Sequence, residues 1–347
     1  MTLLEQTLPP AALDRGAGLD ARELVGLFRD MTALRAFDEL AVDYHHQGRI
    51  GTYAIYWGHE AMQAGALRAL GEQDWVFPSY RESAVGILRG MPIATVLSWW
   101  RGEPAGWWDP HAQRVASVCV PVATHVPHAV GFAWGERLKG DDTCALVFFG
   151  DGATSEGAFH EGATFAGVVE APVVLFCNNN GWAISTPVSA QTAARTLADK
   201  AAGYGIPAVR VDGGDVLAVH DVTRTAIERA RDGGGPTFIE AVTYRMAPHA
   251  TADDPSLYLN PERVEAERSR ECLARYEAQL AGAGLLTPDD ADSIRRDARA
   301  RVRDAMAVVE ARDEAPPTDI FDSVYAAPPP SLLADRDAVA REFEAAR

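Results

Sequence analysis

The chain has 347 residues, of which 47% are hydrophobic and 23% charged, and its formal net charge at pH 7 is −17. This composition is typical of a folded protein rather than a disordered one. The negative charge argues against a partner that is nucleic acid or an anionic membrane surface. No apolar run reaches the roughly 18–20 residues of a membrane span, and the N-terminus lacks the pattern of a secretory signal. We therefore expect a cytoplasmic protein with reduced cysteines.

The N-terminal third is predicted to be mainly helical. Residues 1–20 show no sustained periodicity and contain Pro9-Pro10, so we expect an N-terminal arm. Apolar residues at helical spacing then predict a helix over 21–47. The elements expected next are a helix over 58–70, an extended segment over 75–77, helices over 83–101 that Pro92 interrupts, and a loop over 102–114.

The central residues alternate between apolar strands and helices. The predicted strands cover 144–149, 172–177, 208–211 and 238–244, and the predicted helices cover 127–138, 155–169, 192–203 and 215–231. Fully apolar strands that alternate with helices predict an α/β fold with a mostly parallel sheet and helices on both faces. The C-terminal part is expected to be helical over 262–312. We predict one α/β domain over 21–314, followed by a proline-rich C-terminal arm with a short helix over 315–347.

Polar residues follow two of the predicted strands. An apolar strand runs directly into Asp151, and the next strand ends at Asn179 and Asn180. Because the carboxyl ends of parallel strands meet at one edge of the sheet, where such sheets bind ligands, we expect these side chains to lie together. Carboxylate, amide and carbonyl oxygens are ligands that Mg²⁺ prefers. The backbone amides of Gly152 and Ala153, at the start of a helix, are favourable for an anion.

The spacing of these residues is that of a known cofactor motif. Gly150-Asp151-Gly152 and the pair Asn179-Asn180 are separated by 26 residues, and this pattern resembles the motif of thiamine diphosphate enzymes. From about residue 21 to 330 the chain resembles the α subunit of the first component (E1) of a 2-oxo acid dehydrogenase complex, closer to the branched-chain than to the pyruvate type. The segments that carry this preference are 48–50, 80–82, 183–187, 243–245, 249–254 and 322–325, together with the absence of histidine from 51–57.

The resemblance implies the fold half that binds the cofactor diphosphate, and it implies roles for particular residues. It implies Mg²⁺ ligation by Asp151, Asn180 and the Trp182 carbonyl, diphosphate binding by Tyr80, Arg81, Gly152 and Ala153, and cofactor binding and catalytic proton transfer by His249. His125 and His128 are interpreted as structural or substrate-channel residues, and His59 and His160 as residues at the surface or behind the site.

The chain departs from the family pattern at three places. Asn178 stands where branched-chain members commonly have an arginine that contacts the diphosphate. Ala250 replaces the serine that is phosphorylated in mitochondrial members, so control by a kinase at this position is chemically impossible. The stretch 102–118 is shorter than expected, which puts a second cation site in doubt, although Thr124 is retained.

The function implied is decarboxylation of a branched-chain 2-oxo acid and transfer of the acyl group to the lipoyl domain of the acyltransferase component (E2). The resemblance also implies a β subunit, in an α2β2 heterotetramer, that supplies the rest of the active site. Pyruvate dehydrogenase and acetoin dehydrogenase α subunits are the nearest alternatives. A non-catalytic cofactor-binding scaffold and a Mg²⁺-dependent phosphotransfer or phosphohydrolase enzyme are alternatives of a different class, although no phosphate-binding loop of the Gly-x₄-Gly-Lys-Ser/Thr type is present.

Overall fold

The computed structural model describes residues 18–313, 315–322 and 324–345. Residues 1–17 of the predicted N-terminal arm lie outside this part, and the predicted domain limits stay predictions. The strands are β1 (Trp75–Phe77), β2 (Ala145–Gly150), β3 (Val173–Asn179), β4 (Trp182–Ala183), β5 (Thr186–Pro187), β6 (Ala208–Asp212) and β7 (Thr237–Val242). Five of them form one sheet in the order β1-β2-β3-β7-β6, and every pair in it is parallel. The other two, β4 and β5, form a short antiparallel hairpin.

Helices precede, separate and follow these strands. They are α1 (Ala21–His46), α2 (Glu60–Arg68), α3 (Val85–Leu88), α4 (Ile93–Arg101), α5 (Pro110–Gln113), α6 (His125–Lys139), α7 (Gly157–Val168), α8 (Val188–Gln191), α9 (Val216–Arg229), α10 (Pro261–Arg268), α11 (Cys272–Gly282), α12 (Pro288–Glu310), α13 (Asp319–Asp322) and α14 (Pro330–Ala345). The first one begins where the sequence offers a capping box, in which Asp20 and Glu23 each accept the other's backbone N–H.

The sheet has a hydrophobic core on each face. Successive strand residues point to opposite faces, so Phe148 packs with α1, α2 and α9, whereas Phe149 packs with α6 and α7. Both phenylalanines are fully buried. The predicted α/β fold with a mostly parallel sheet covered on both faces is therefore confirmed.

One predicted helix is wrong. Over 192–203 the chain forms bends and then a 3₁₀ helix over Ala198–Tyr204, and only the short α8 precedes it. Side chains compete here for the backbone amides: Thr192 accepts from the amide of Ala194, and Thr196 accepts from that of Asp199. Such local hydrogen bonds offer the backbone an alternative to helix geometry, and the apolar spacing did not reveal them.

The C-terminal part is helical, as predicted. The long helix α12 packs along α1 and α4 and buries one apolar stripe, which includes Ile294, Val302 and Met306. In the proline-rich arm, α14 has 16 residues and is longer than the short helix expected. An ion pair between Arg336 and Asp322 joins α14 to α13. No helix among the described residues is long and apolar enough to cross a membrane.

Candidate active site

Two neighbouring strands bring the predicted site residues together. β2 and β3 are paired in register, with Gly150 opposite Asn178, so the chain leaves both strands at the same edge of the sheet. A cavity of about 230 Å³ lies at this edge. All eight predicted site residues line it: Tyr80, Arg81, Asp151, Gly152, Ala153, Asn180, Trp182 and His249. Their common location is a structural finding, whereas their individual roles stay predictions.

The carboxylate of Asp151 is buried at the start of a 3₁₀ turn that follows β2. Its Oδ2 accepts a hydrogen bond of 2.7 Å from Nε2 of Gln191. Burial raises the pKa of Asp151, while this hydrogen bond and the more distant charges of Arg245 and Arg81 lower it. A bound divalent cation would favour the ionised carboxylate, so this group is suited to metal binding.

The two asparagines of the motif point in different directions. Asn180 lines the cavity, and its Oδ1 accepts from the amide of Trp182 at 3.2 Å. Asn179 instead donates from Nδ2 to the buried Glu240 of β7 at 2.7 Å, and its own Oδ1 accepts from Gly181. Because successive strand residues alternate in direction, only Asn180 of the pair can join Asp151. The expectation that Asn179 lies beside Asp151 in the site is therefore wrong.

The carbonyl of Trp182 already has one partner. Nη1 of Arg245 donates to it at 3.3 Å, and the same guanidinium donates to the carbonyls of Ile184 and Ala247 and to the Tyr258 hydroxyl. A carbonyl oxygen has two lone pairs, so this hydrogen bond leaves one for a metal ion. Arg245 thus fixes the backbone of the β4–β5 hairpin against the cavity.

Glycine is required at position 152. A Cβ built there would lie 2.7 Å from Cβ of Ala183 in the hairpin, closer than real Cβ contacts. The turn after β2 and the hairpin therefore approach each other at van der Waals distance only because residue 152 has no side chain. This close approach also leaves the backbone of residues 152 and 153 at the cavity wall.

Arg81 and His249 form a direct pair on the other side of the cavity. Nη2 of Arg81 is 3.0 Å from Nδ1 of His249 and also donates to the His249 carbonyl at 3.1 Å, while Nη1 donates to the carbonyl of Ile55. A guanidinium can only donate, so Nδ1 must accept and the neutral ring carries its proton on Nε2. The ring of Tyr80 meets that of His249 edge to face, with centroids 5.9 Å apart.

The imidazole of His249 is neutral at physiological pH. Burial, together with the charges of Arg81 and Arg245, lowers its pKa to about 4 against the opposite effect of Asp253. Asp253 also accepts from the His249 amide at 2.8 Å and from the Tyr258 hydroxyl, which orders the loop that carries the histidine.

A buried carboxyl group lies beside Asn178, the position at which the family resemblance led us to expect an arginine. Asn178 donates from Nδ2 to Glu82, whose other oxygen accepts from the Ser79 hydroxyl. Burial raises the pKa of Glu82, and its hydrogen bonds and Arg81 lower it in part. Oδ1 of Asn178 is buried and has no partner within the described residues. Three residues that contact site residues were not predicted from the sequence: Glu82, Gln191 and Arg245. Glu82 and Arg245 lie in segments that carry the family resemblance, whereas no sequence signal marks Gln191.

The structure shows the surroundings of the other four histidines considered in the sequence analysis. His125 is buried and lines the cavity, and its Nε2 is 2.6 Å from the Phe148 carbonyl, so the proton lies on Nε2. His128 and His160 are exposed. His59 is fully buried, and burial together with the charges of Arg81 and Arg245 lowers its pKa well below the usual value.

The loop before α6 is closed by its own hydrogen bonds. Sγ of Cys119 and Oγ1 of Thr124 are 2.9 Å apart, and both donate to the Pro121 carbonyl. Of the four cysteines, Cys119 is the partly exposed one, and the other three are buried thiols.

The donor set fits Mg²⁺ bound together with phosphate oxygens. Among the described residues, no cluster of three or more His, Cys, Asp or Glu side chains could hold a metal by itself. One carboxylate, one amide oxygen and one backbone carbonyl form an incomplete oxygen shell, which is how Mg²⁺ binds in sites where a ligand phosphate supplies further oxygens. The three hydrogen bonds of Arg81 described above use three of its five N–H donors, so the guanidinium has donors for an anion.

Comparison with known proteins identifies the family. The family described as dehydrogenase E1 component matches residues 28–318. The 3-methyl-2-oxobutanoate dehydrogenase subunit alpha of Mycobacterium tuberculosis is 41% identical over 91% of this chain and 86% of its own length. The 2-oxoisovalerate dehydrogenase subunit alpha of Bacillus subtilis is 38% identical over 89% and 97%, and the pyruvate dehydrogenase E1 component subunit alpha of Acholeplasma laidlawii is 34% identical over 90% and 92%. The chain belongs to the dehydrogenase E1 component family, which is thiamine diphosphate-dependent.

Proposed function

We propose that this chain is the α subunit of a branched-chain 2-oxo acid dehydrogenase E1 component. The observation that carries the proposal is the convergence of Asp151, Asn180, Arg81 and His249 on one cavity at the carboxyl edge of the sheet. The bacterial relatives named for 3-methyl-2-oxobutanoate and 2-oxoisovalerate share 41% and 38% identity with the chain, whereas bacterial relatives named for pyruvate share 34% and 35%. This difference favours a branched-chain substrate over pyruvate, and acetoin remains a further alternative.

In this proposal the chain holds the diphosphate end of the cofactor. Asp151, Asn180 and the Trp182 carbonyl bind Mg²⁺, and the amides of Gly152 and Ala153 donate to the diphosphate. Tyr80 and Arg81 add a phenol and a guanidinium, which suit phosphate oxygens. When bound, thiamine diphosphate supplies the nucleophilic carbon and the electron sink for decarboxylation of the 2-oxo acid.

His249 serves as a neutral hydrogen-bond donor. Because Arg81 donates to its Nδ1, the free N–H is on Nε2, which can donate to a phosphate or substrate oxygen. Because of the low pKa, the ring does not take up a second proton in the physiological range, and the hydrogen bond from Arg81 keeps its one N–H on Nε2. The histidine thus holds a proton at one atom, while its loop is fixed by Asp253.

Partners are part of the proposal. Val120, Val122 and Ile184 are exposed apolar side chains, and the last two lie at the cavity wall. Apolar side chains at the edge of a site are typical of a surface that another chain covers. We assign this role to a β subunit in an α2β2 heterotetramer, with the lipoyl domain of E2 as acyl acceptor and the cytoplasm as the location.

The test is reconstitution. The chain is mixed with its β subunit, thiamine diphosphate and Mg²⁺. Decarboxylation is measured with 3-methyl-2-oxobutanoate, the other branched-chain 2-oxo acids and pyruvate, and carbon–carbon cleavage is measured with acetoin, which has no carboxylate to lose. We expect the highest kcat/KM with a branched-chain acid. The variant Asp151→Asn is the matched control and should lose most of the activity.

Two results would contradict the proposal. A preference for pyruvate or acetoin would refute the branched-chain assignment and leave the E1 role intact. If no substrate is decarboxylated or cleaved although titration calorimetry shows that the complex binds thiamine diphosphate with Mg²⁺, the chain is a non-catalytic cofactor-binding scaffold.

A further inference from the structure

Part of the cavity wall is formed by Trp182, Ala183 and Ile184, the first residues of the segment from Trp182 to Gln191, which comprises β4, β5 and α8. Two contacts join this segment to the turn after β2. At one end, Ala183 lies where a side chain on residue 152 would be. At the other end, Gln191 reaches the carboxylate of Asp151. The segment therefore lies over the metal-binding turn and contacts it at both of its ends.

The carboxamide of Gln191 makes two donor contacts of defined geometry. Nε2 donates to Oδ2 of Asp151 at 2.7 Å and to the carbonyl of Thr186 at 3.1 Å. An amide nitrogen has two N–H groups, so both are used. Oε1 of Gln191 is buried without a partner within the described residues, and the side chain thus contacts the carboxylate through its donor end.

The two carboxylate oxygens of Asp151 have different roles in this arrangement. Gln191 holds Oδ2, which restrains the rotation of the carboxylate and leaves Oδ1 for a metal ion. A free carboxylate would have to give up rotational freedom on binding the metal, whereas a held one has already done so. Partners that orient metal ligands typically contribute a factor of about 10–100 in metal affinity.

We infer that Gln191 is a positioning residue for the metal site, acting through Asp151, and that the Trp182–Gln191 segment must be closed over the turn for tight metal binding. The inference rests on the proposed function, since it takes Asp151 as a Mg²⁺ ligand. It goes beyond that function by adding a residue that lies 40 positions from Asp151 in the chain and contacts its carboxylate.

The experiment measures metal affinity directly on the reconstituted αβ complex. Mn²⁺ replaces Mg²⁺, and its dissociation constant in the presence of thiamine diphosphate is obtained from the electron paramagnetic resonance signal of free Mn²⁺. The variants are Gln191→Met, which keeps the length of the side chain but cannot donate, and Gln191→Asn, which keeps the amide but is one methylene too short. Ser189→Ala, at an exposed position of the same short helix, is the control.

We expect both Gln191 variants to raise the Mn²⁺ dissociation constant about 10–100-fold, and the Ser189 variant to leave it unchanged. At saturating metal, kcat and thiamine diphosphate affinity should return to within a few-fold of the wild type. A purely structural role would instead lower the melting temperature of the complex and leave the Mn²⁺ constant unchanged in both variants, and that result overturns the inference. A wild-type complex that does not bind Mn²⁺ with thiamine diphosphate would overturn the proposed metal site itself, which is a distinguishable failure.

Discussion

Asp38 provides a quantitative test of the electrostatics of the core. The residue lies on α1, is buried, and accepts hydrogen bonds of 2.9 Å at Oδ1 from the Tyr53 hydroxyl and the Tyr56 amide. Burial raises its pKa from 3.8 to about 7, against the effect of the Tyr56 hydrogen bond. Between about pH 4 and pH 7 the folded chain therefore keeps a proton that the unfolded chain releases.

The sign of the effect follows from proton binding. Because the folded state binds more protons in this range, the free energy of unfolding falls as the pH rises from about 4 to about 7, and below pH 4 the carboxyl is protonated in both states. Each pH unit corresponds to about 1.4 kcal/mol, so the two units from pH 5 to pH 7 correspond to about 3 kcal/mol. The substitution Asp38→Asn removes this dependence because the amide is neutral and its oxygen can still accept both hydrogen bonds.

The assay compares melting temperatures of the reconstituted complex at pH 5 and pH 8. The unfolding entropy of a 347-residue chain is about 0.7 kcal/mol/K, so the difference between Asp38→Asn and wild type should shift by about 4 °C between the two pH values, in favour of the variant at pH 8. Asp43→Asn, an exposed position on the same helix, is the control and should show no such shift. An equal difference at both pH values for Asp38→Asn would refute the assignment of a raised pKa.

Three further predictions concern the cavity. Gly152→Ala places a Cβ 2.7 Å from Ala183, so calorimetry should show weaker thiamine diphosphate binding by about 1–3 kcal/mol, whereas Gly157→Ala, where the added Cβ meets open space, should bind as the wild type does. Trp182→Phe should leave the Mn²⁺ affinity within about threefold of the wild type, because the predicted ligand is a backbone carbonyl. A loss as large as that caused by deleting a side-chain ligand would contradict the assignment of this carbonyl as a ligand. His249 has a pKa of about 4, so it should not titrate between pH 6 and 8. The pH profiles of kcat for the wild type and for His249→Asn should therefore have the same shape in this range.

The sheet and the cofactor motif could be predicted from the sequence because their signals are local. Fully apolar runs mark buried parallel strands, and Asp151 and Asn180 directly follow two of them. Once those strands are neighbours in one parallel sheet, their ends must lie together. The alternation of side chains along a strand also explains why Asn179 points away from the cavity while Asn180 lines it. Which of the two asparagines enters the cavity depends on the residue at which β3 ends, and the sequence does not fix that residue.

Contacts between segments distant in the chain could not be predicted. Gln191 reaches Asp151 because the hairpin between them folds back over the turn, and its path depends on Arg245, which holds two hairpin carbonyls. Because both side chains are polar, the periodicity of apolar residues along the sequence does not mark either of them. The failed helix over 192–203 has the same origin, because threonine side chains that bond nearby amides decide the backbone there.

The net charge of −17 and a cavity suited to an anion are compatible because the two act over different distances. Charges exposed at the surface are screened within about 8 Å at physiological ionic strength, whereas Arg81 and Arg245 are buried beside the cavity, where screening is weak. Their effect is visible in two neutral side chains: after burial, these guanidinium charges are the next causes that lower the pKa of His249 and of His59. The two guanidinium groups therefore act locally in favour of an anion although the chain is acidic. Repulsion by the surface opposes a polyanion that must lie along it, but it does not oppose a diphosphate that enters the cavity with Mg²⁺.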